Sequence, residues 1–143
     1  MYGGTAEIGG RGEVVTPLPA AEPLWLVLAK PATGVSTAAV FAALRPEAYS
    51  SGSSTAQVAE SIRSGQPIPF EHLTNALLPT ALQMFPEIGR TQEILLAAGA
   101  PVVGMSGSGP SLFAPFRRLD DASRVFQRAR EAPELAVWLT HTM

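Results

Sequence analysis

The sequence has no cysteine, a single lysine (Lys30) and no aspartate before Asp120. Without cysteine there are no disulfide staples, no zinc–thiolate sites and no thiol catalysis. Charge is scarce: 15% of residues are Asp, Glu, Lys or Arg, against about 25% in an average soluble domain. The net charge is −2, and the nine arginines and Lys30 are scattered along the chain. A nucleic-acid partner is therefore not expected, because phosphate-backbone binding requires a basic face. Long apolar runs are also missing. The run at residues 24–29 is strand-sized, and no run approaches the ~20 residues that cross a bilayer. No basic segment followed by an apolar one opens the sequence, so neither a secretion signal nor a membrane partner is expected, and the cytoplasm is the expected compartment.

What is present suits a folded domain. The 143 residues are 46% hydrophobic, with 13 glycines and 13 prolines to punctuate them, and ~100–150 residues is the usual size of one domain. Residues 3–18 read as a hairpin, with glycines at its turns and Val14, Val15 and Thr16 favouring extended backbone. Residues 24–29 predict a central strand buried on both faces. A helix capped by Ser36 or Thr37 runs to Pro46, and a second, capped by Ser54 or Thr55, ends at Gly65. Helical segments follow at 73–84, with Pro79 as a kink or boundary, and at 86–98. Residues 101–105 and 111–116 predict a pair of strands. A helix opened by Asp120 and Asp121 as caps runs to Pro133, and 135–139 predict the last strand. Trp25 and Trp138, inside apolar strands, read as core.

The order β, helices, β, β, α, β is that of an α+β fold, a ferredoxin-like antiparallel sheet under a helical layer. The first residues stand outside that plan as strands that need another sheet, which divides the chain into 1–20 and 21–143. Unpaired hairpin edges recruit further strands, so a homo-oligomer formed through the hairpin is expected.

Two segments carry candidate chemistry. Residues 104–110 read Gly-Met-Ser-Gly-Ser-Gly-Pro. Glycines let backbone amides converge on an anion such as a phosphate, and Ser106 and Ser108 add hydroxyls beside Gly107 and Gly109. The alternative is a hairpin turn that simply needs positive φ. The second segment, residues 31–37 followed by Phe41, is a strand-to-helix junction. Thr37 and Phe41 are spaced i, i+4 and share one helix face. Thr37 could bond a ligand and Phe41 stack on a planar ring, or they could be a cap neighbour and a core residue. His72 and His141 show no metal-ligand spacing. Lys30 reads as an exposed strand-end lysine. Arg117, Arg124 and Arg128 read as a solvated helix face.

These stretches resemble the C-terminal half of a GHMP-family kinase. Gly3-Gly4-Thr5-Ala6 with Gly10-Arg11-Gly12-Glu13 is similar to the segment after the family's catalytic aspartate. Residues 26–31 with 34–37 are similar to its strand-to-helix junction. Asn75-Ala76-Leu77 resembles its Asn-Asp-Leu helix, with Ala76 where an acid is common. Residues 105–110 resemble the family's third motif, the glycine loop beside the phosphates. The likeness is greatest to the branch that uses ATP and Mg²⁺ to phosphorylate the 2-hydroxyl of a cytidine-linked methylerythritol in non-mevalonate isoprenoid synthesis. It implies a phosphate loop at Ser106, Gly107, Ser108 and Gly109, and a substrate pocket lined by Thr37 with Phe41 stacked on the cytosine.

The departure from the family is as informative. The N-terminal kinase domain, with its glycine- and serine-rich ATP loop, catalytic lysine and catalytic aspartate, has no counterpart here. The resemblance implies no catalytic and no metal-ligating residue in this chain, a missing N-terminal domain as its partner, and no turnover by the chain alone. The competing readings are a non-catalytic ferredoxin-like binding or dimerisation module and another GHMP kinase, such as a homoserine or mevalonate kinase.

Overall fold

The computed structural model describes residues 4–142; Gly3, expected at the start of the hairpin, lies outside them. The strands are β1 (Thr5–Gly9), β2 (Val14–Leu18), β3 (Trp25–Pro31), β4 (Gly104–Met105), β5 (Leu112–Phe116) and β6 (Leu135–His141). The helices are α1 (Thr37–Ala43), α2 (Ser53–Arg63), α3 (Leu78–Met84), α4 (Pro86–Ala97) and α5 (Leu119–Ala129). Contacts divide them into two units, residues 4–23 with Ser50–Leu73, and Leu24–Tyr49 with Thr74–Thr142.

In the first unit β1 and β2 form the expected antiparallel hairpin, in register from Thr5 opposite Leu18 to Gly9 opposite Val14. Gly10 and Gly12 take positive φ in its turn, where an L side chain would be strained. Ile8 is 63% exposed, and Val14 and Val15 are also exposed. Helix α2 packs against β2, Arg63 pairs with Glu7 at 2.6 Å, and the Ile68 amide donates to Glu22 Oε1 at 2.6 Å. The hairpin thus has α2 as a structural partner. The expected cap of α2 is corrected: the helix already begins at Ser53, so Gly52 takes the N-cap position in place of Ser54 or Thr55, at φ +78°, a backbone conformation that glycine adopts without strain.

The second unit is the ferredoxin-like part. Its four strands lie in the order β4-β5-β3-β6, and every pairing is antiparallel. The apolar run makes β3 a central strand, but only one of its faces is fully covered, which corrects the expectation of burial on both. Val27, Ala29 and Pro31 are buried while Leu26 and Leu28 between them are only half-buried. The cause is a single helical layer. Helices α4 and α5 pack on the face that carries Val27, Ala29, Leu112 and Ala114. On the other face Leu28 pairs with Phe113 and Trp138. Trp138 is 49% exposed there, so it is not core; it lies on the outer strand, on the face opposite α4 and α5.

Helix α5 buries Ala122, Val125 and Ala129, the i, i+3, i+7 stripe expected of an amphipathic helix. Asp120 and Asp121 occupy its first turn, where their charge complements the helix dipole. They do not cap it: the N-cap is Arg118 with no side-chain cap bond, and the two aspartates pair instead with Arg118 and Arg124. Helix α3 begins only at Leu78, with Pro79 in its first turn, so Pro79 marks a start and not a kink. Strand β4 is shorter than the expected 101–105.

Candidate functional site

The loop between β4 and β5 is built around its glycines. The Gly109 amide donates to Ser106 O at 3.1 Å and the Ser106 amide to Ser111 O at 2.9 Å. Gly107 has φ +57° while Ser108 stays at negative φ, the pattern of a type II′ turn. A Cβ on Gly109, at φ +88°, would lie 3.0 Å from Met105 Sδ and 3.2 Å from Ile88 Cδ1. A side chain at this position is therefore strained by the positive φ and needs Met105 and Ile88 to give way. Gly104 is held by contact instead of φ, since the Phe113 ring occupies the place of its Cβ.

Asn75 holds the loop from outside. Its Nδ2 donates to Met105 O and to Gly107 O, both at 2.8 Å, and its Oδ1 accepts from the Leu77 amide at 2.8 Å. One side-chain amide therefore uses both donors and its acceptor to tie the glycine loop to the turn before α3. Composition and spacing gave no such role to Asn75. The available signal was the likeness of Asn75-Ala76-Leu77 to the family's Asn-Asp-Leu helix, which marks the position without giving its bonds.

The two segments singled out by sequence meet at one hydrogen bond. Thr37 Oγ1 and Ser108 Oγ lie 2.8 Å apart. Thr37 is the first residue of α1, whose N-cap Ser36 accepts from the Ala39 amide. Ser108 is buried and Thr37 is exposed, so the pair runs from the interior to the surface. Phe41 lies one helical turn from Thr37 on the same face and is 56% exposed. The reading of Phe41 as core is thereby corrected: Val40 is the residue α1 buries, and Phe41 is left free.

The electrostatics of the loop are neutral. Among the described residues the amides of Gly107 and Ser108 donate to no backbone acceptor in the loop's hydrogen bonding, and with the Ser106 hydroxyl they leave several donors at the turn. Lys30 is exposed at the end of β3. No group of three His, Asp or Glu side chains able to hold a metal occurs among the described residues, and none of their helices is long and apolar enough to cross a membrane. His141 sits edge-on to Trp25, ring centroids 5.3 Å apart.

Residues 56–135 match the family model described as GHMP kinases C terminal. The 4-diphosphocytidyl-2-C-methyl-D-erythritol kinase of Geobacillus kaustophilus is 38% identical over 130 residues, covering 91% of this chain and 45% of that protein. A crystal structure of 4-(cytidine 5'-diphospho)-2C-methyl-D-erythritol kinase superposes with a TM-score of 0.76 at 29% identity, over 95% of this chain and 48% of the other. The homoserine kinase of Cytophaga hutchinsonii shares the fold, with a TM-score of 0.71 at 18% identity over 99% of this chain and 49% of the other. The chain thus spans about half the length of the proteins it matches.

Proposed function

This chain belongs to the GHMP kinases through their C-terminal domain, and on that premise we propose that it is the substrate-binding and phosphate-facing half of a kinase that phosphorylates the 2-hydroxyl of 4-diphosphocytidyl-2-C-methyl-D-erythritol. The observation that carries the reading is the 2.8 Å contact between Thr37 and Ser108, which joins the substrate segment and the glycine loop at one place. The named relatives supply the substrate.

In this reading the γ-phosphoryl group passes from ATP to the 2-hydroxyl, ADP leaves, and the hydroxyl proton goes to a base. Such a transfer depends on positioning and charge stabilisation more than on covalent chemistry. The chain supplies neutral donors: the Gly107 and Ser108 amides and the Ser106 hydroxyl face the phosphates, while Thr37 and the exposed Phe41 hold the cytidine end of the substrate. Magnesium-bound ATP supplies the phosphoryl group and neutralises its charge. In this reading the ligands of that ion belong to the complementary half, as do the lysine and the aspartate base. The chain alone then does not turn over, and its place of action is the cytoplasm.

The test is coupled ATP turnover with the cytidine-linked substrate, first with this chain alone and then with the N-terminal half of the Geobacillus kaustophilus relative added in trans. The expected result is no turnover alone and measurable turnover together. Turnover by the chain alone overturns the half-enzyme reading. If the mixture is inactive and the chain also fails to bind cytidine diphosphate in its presence, the kinase reading fails and the non-catalytic module takes its place.

A further inference from the structure

Strand β6 is the outer strand on one side of the four-stranded sheet. The Thr142 amide donates to Leu24 O at 2.9 Å, continuing the ladder in which Trp25 faces His141 and Val27 faces Leu139. Antiparallel ladders alternate bonded and non-bonded pairs. The even-numbered residues of β6 therefore turn their backbone groups toward β3, and Leu135, Val137, Leu139 and His141 turn theirs outward. Among the described residues, Leu135 alone of those outward amides has a backbone acceptor, Ala132 O at 3.1 Å. Natural edge strands are usually blunted by charge, proline, a bulge or brevity. The opposite edge, β4, has two residues. β6 has seven, Leu-Ala-Val-Trp-Leu-Thr-His, with no charged residue, proline or glycine among them.

We propose that β6 pairs with β6 of a second copy of this chain, antiparallel, about a two-fold axis at Trp138. The sequence of the strand is compatible with itself in this register. Val137 bonds to Leu139 of the other copy and Leu139 to its Val137, Leu135 faces His141, and Ala136 faces Thr140. Like charge meets like charge nowhere. Trp138 meets its own counterpart in a non-hydrogen-bonded pair, the closer of the two antiparallel spacings, and cross-strand aromatic pairs are stabilising. Its half-exposed indole is available for that contact. A groove of about 430 Å³ lined by Trp138, Ala136, Lys30 and Glu134 opens beside it on the face that the partner's indole shares. The two sheets become one of eight strands that ends on both sides in the short β4, an isologous contact that closes on itself.

The native absence of cysteine makes the register directly testable. Trp138→Cys places a single thiol on the axis, and diamide, as the oxidant that takes up two electrons and two protons, should convert it to a disulfide dimer. Ala136→Cys and Thr140→Cys should cross-link efficiently with each other when mixed and poorly alone. In sedimentation the unsubstituted chain should approach twice its 15.0 kDa monomer mass. Trp138→Lys should return it to the monomer mass, and mixing Trp138→Lys with Trp138→Glu should restore the dimer. A monomer at high concentration overturns the proposal. So does a dimer insensitive to Trp138→Lys, which would assign association to the hairpin, and so does Ala136→Cys cross-linking alone as fast as Trp138→Cys.

Discussion

Thr37 in α1 and Ser108 in the glycine loop stand 71 positions apart in sequence and share a hydrogen bond of 2.8 Å. A net contribution of about 1 kcal/mol is usual for such a bond. Thr37→Val and Ser108→Ala should each cost about that much in urea unfolding, and the double substitution little more than the worse single one. Additive losses would show that the two hydroxyls act independently.

Asn75 makes a sharper prediction because aspartate is nearly its isostere. Asn75→Asp keeps the acceptor for Leu77 but turns a carboxylate toward the carbonyls of Met105 and Gly107. Lost donors with facing acceptors left unpaired cost about 1–3 kcal/mol. Asn75→Asp should therefore destabilise at least as much as Asn75→Ala, and both should speed hydrogen exchange at the Ser106 and Gly109 amides. Unchanged exchange at those two amides would remove Asn75 from any role in shaping the loop.

The two turn glycines should respond differently to alanine. Gly107 has open space around its missing Cβ, so Gly107→Ala bears only the left-handed backbone cost of roughly 1–2 kcal/mol. Gly109→Ala adds an overlap with Met105 and Ile88, and overpacking typically costs a further ~1–3 kcal/mol. Denaturation midpoints in the order wild type, Gly107→Ala, Gly109→Ala are expected; equal midpoints would mean that the Met105 side chain moves aside freely.

Phe41 tests the proposed substrate role with little interference from folding. Its exposure predicts that Phe41→Ala changes stability by within about 0.5 kcal/mol. Base–aromatic stacking is worth about 1–3 kcal/mol, so cytidine diphosphate should bind the reconstituted kinase roughly 5- to 150-fold more weakly. Titration calorimetry showing equal affinity would leave the ring without a ligand.

The Arg63–Glu7 pair should contribute little. Both side chains are substantially exposed, and exposed ion pairs are worth about 0–1 kcal/mol. Arg63→Ala should lower the melting temperature only slightly, by an amount that vanishes in high salt; a large, salt-independent loss would point to packing of the arginine stem on the hairpin.

The elements with strong local signals were legible in advance. The run from Leu24 to Ala29 marked β3, Asp120 and Asp121 marked the opening of α5, and Ser36 or Thr37 marked the start of α1. Together they carried the ferredoxin-like order. What escaped depends on partners distant in sequence. Trp138 looked like core because an apolar strand does not say whether it is central or outer, or which of its faces a helix covers. Phe41 was open between stacking and core because the sequence does not say which of the adjacent Val40 and Phe41 turns inward. Asn75 showed no chemistry on its own, since its role exists only once Met105 and Gly107 present their carbonyls to it. The grouping of α2 with the hairpin was likewise hidden, because Glu7 and Arg63 lie 56 positions apart.

The strand order has a consequence for biosynthesis. β3 is the first strand of the sheet to be translated, yet it lies between β5 and β6, and the pairing of Leu24 with Thr142 spans 118 positions. The nascent chain must hold its most apolar segment without a neighbour on either side until nearly all of the domain has left the ribosome, and any early stop within β6 removes one whole flank of that segment. Closure of so distant a pair sets a slow, late step for folding, and makes the interval before it the time at which chaperones have most to protect.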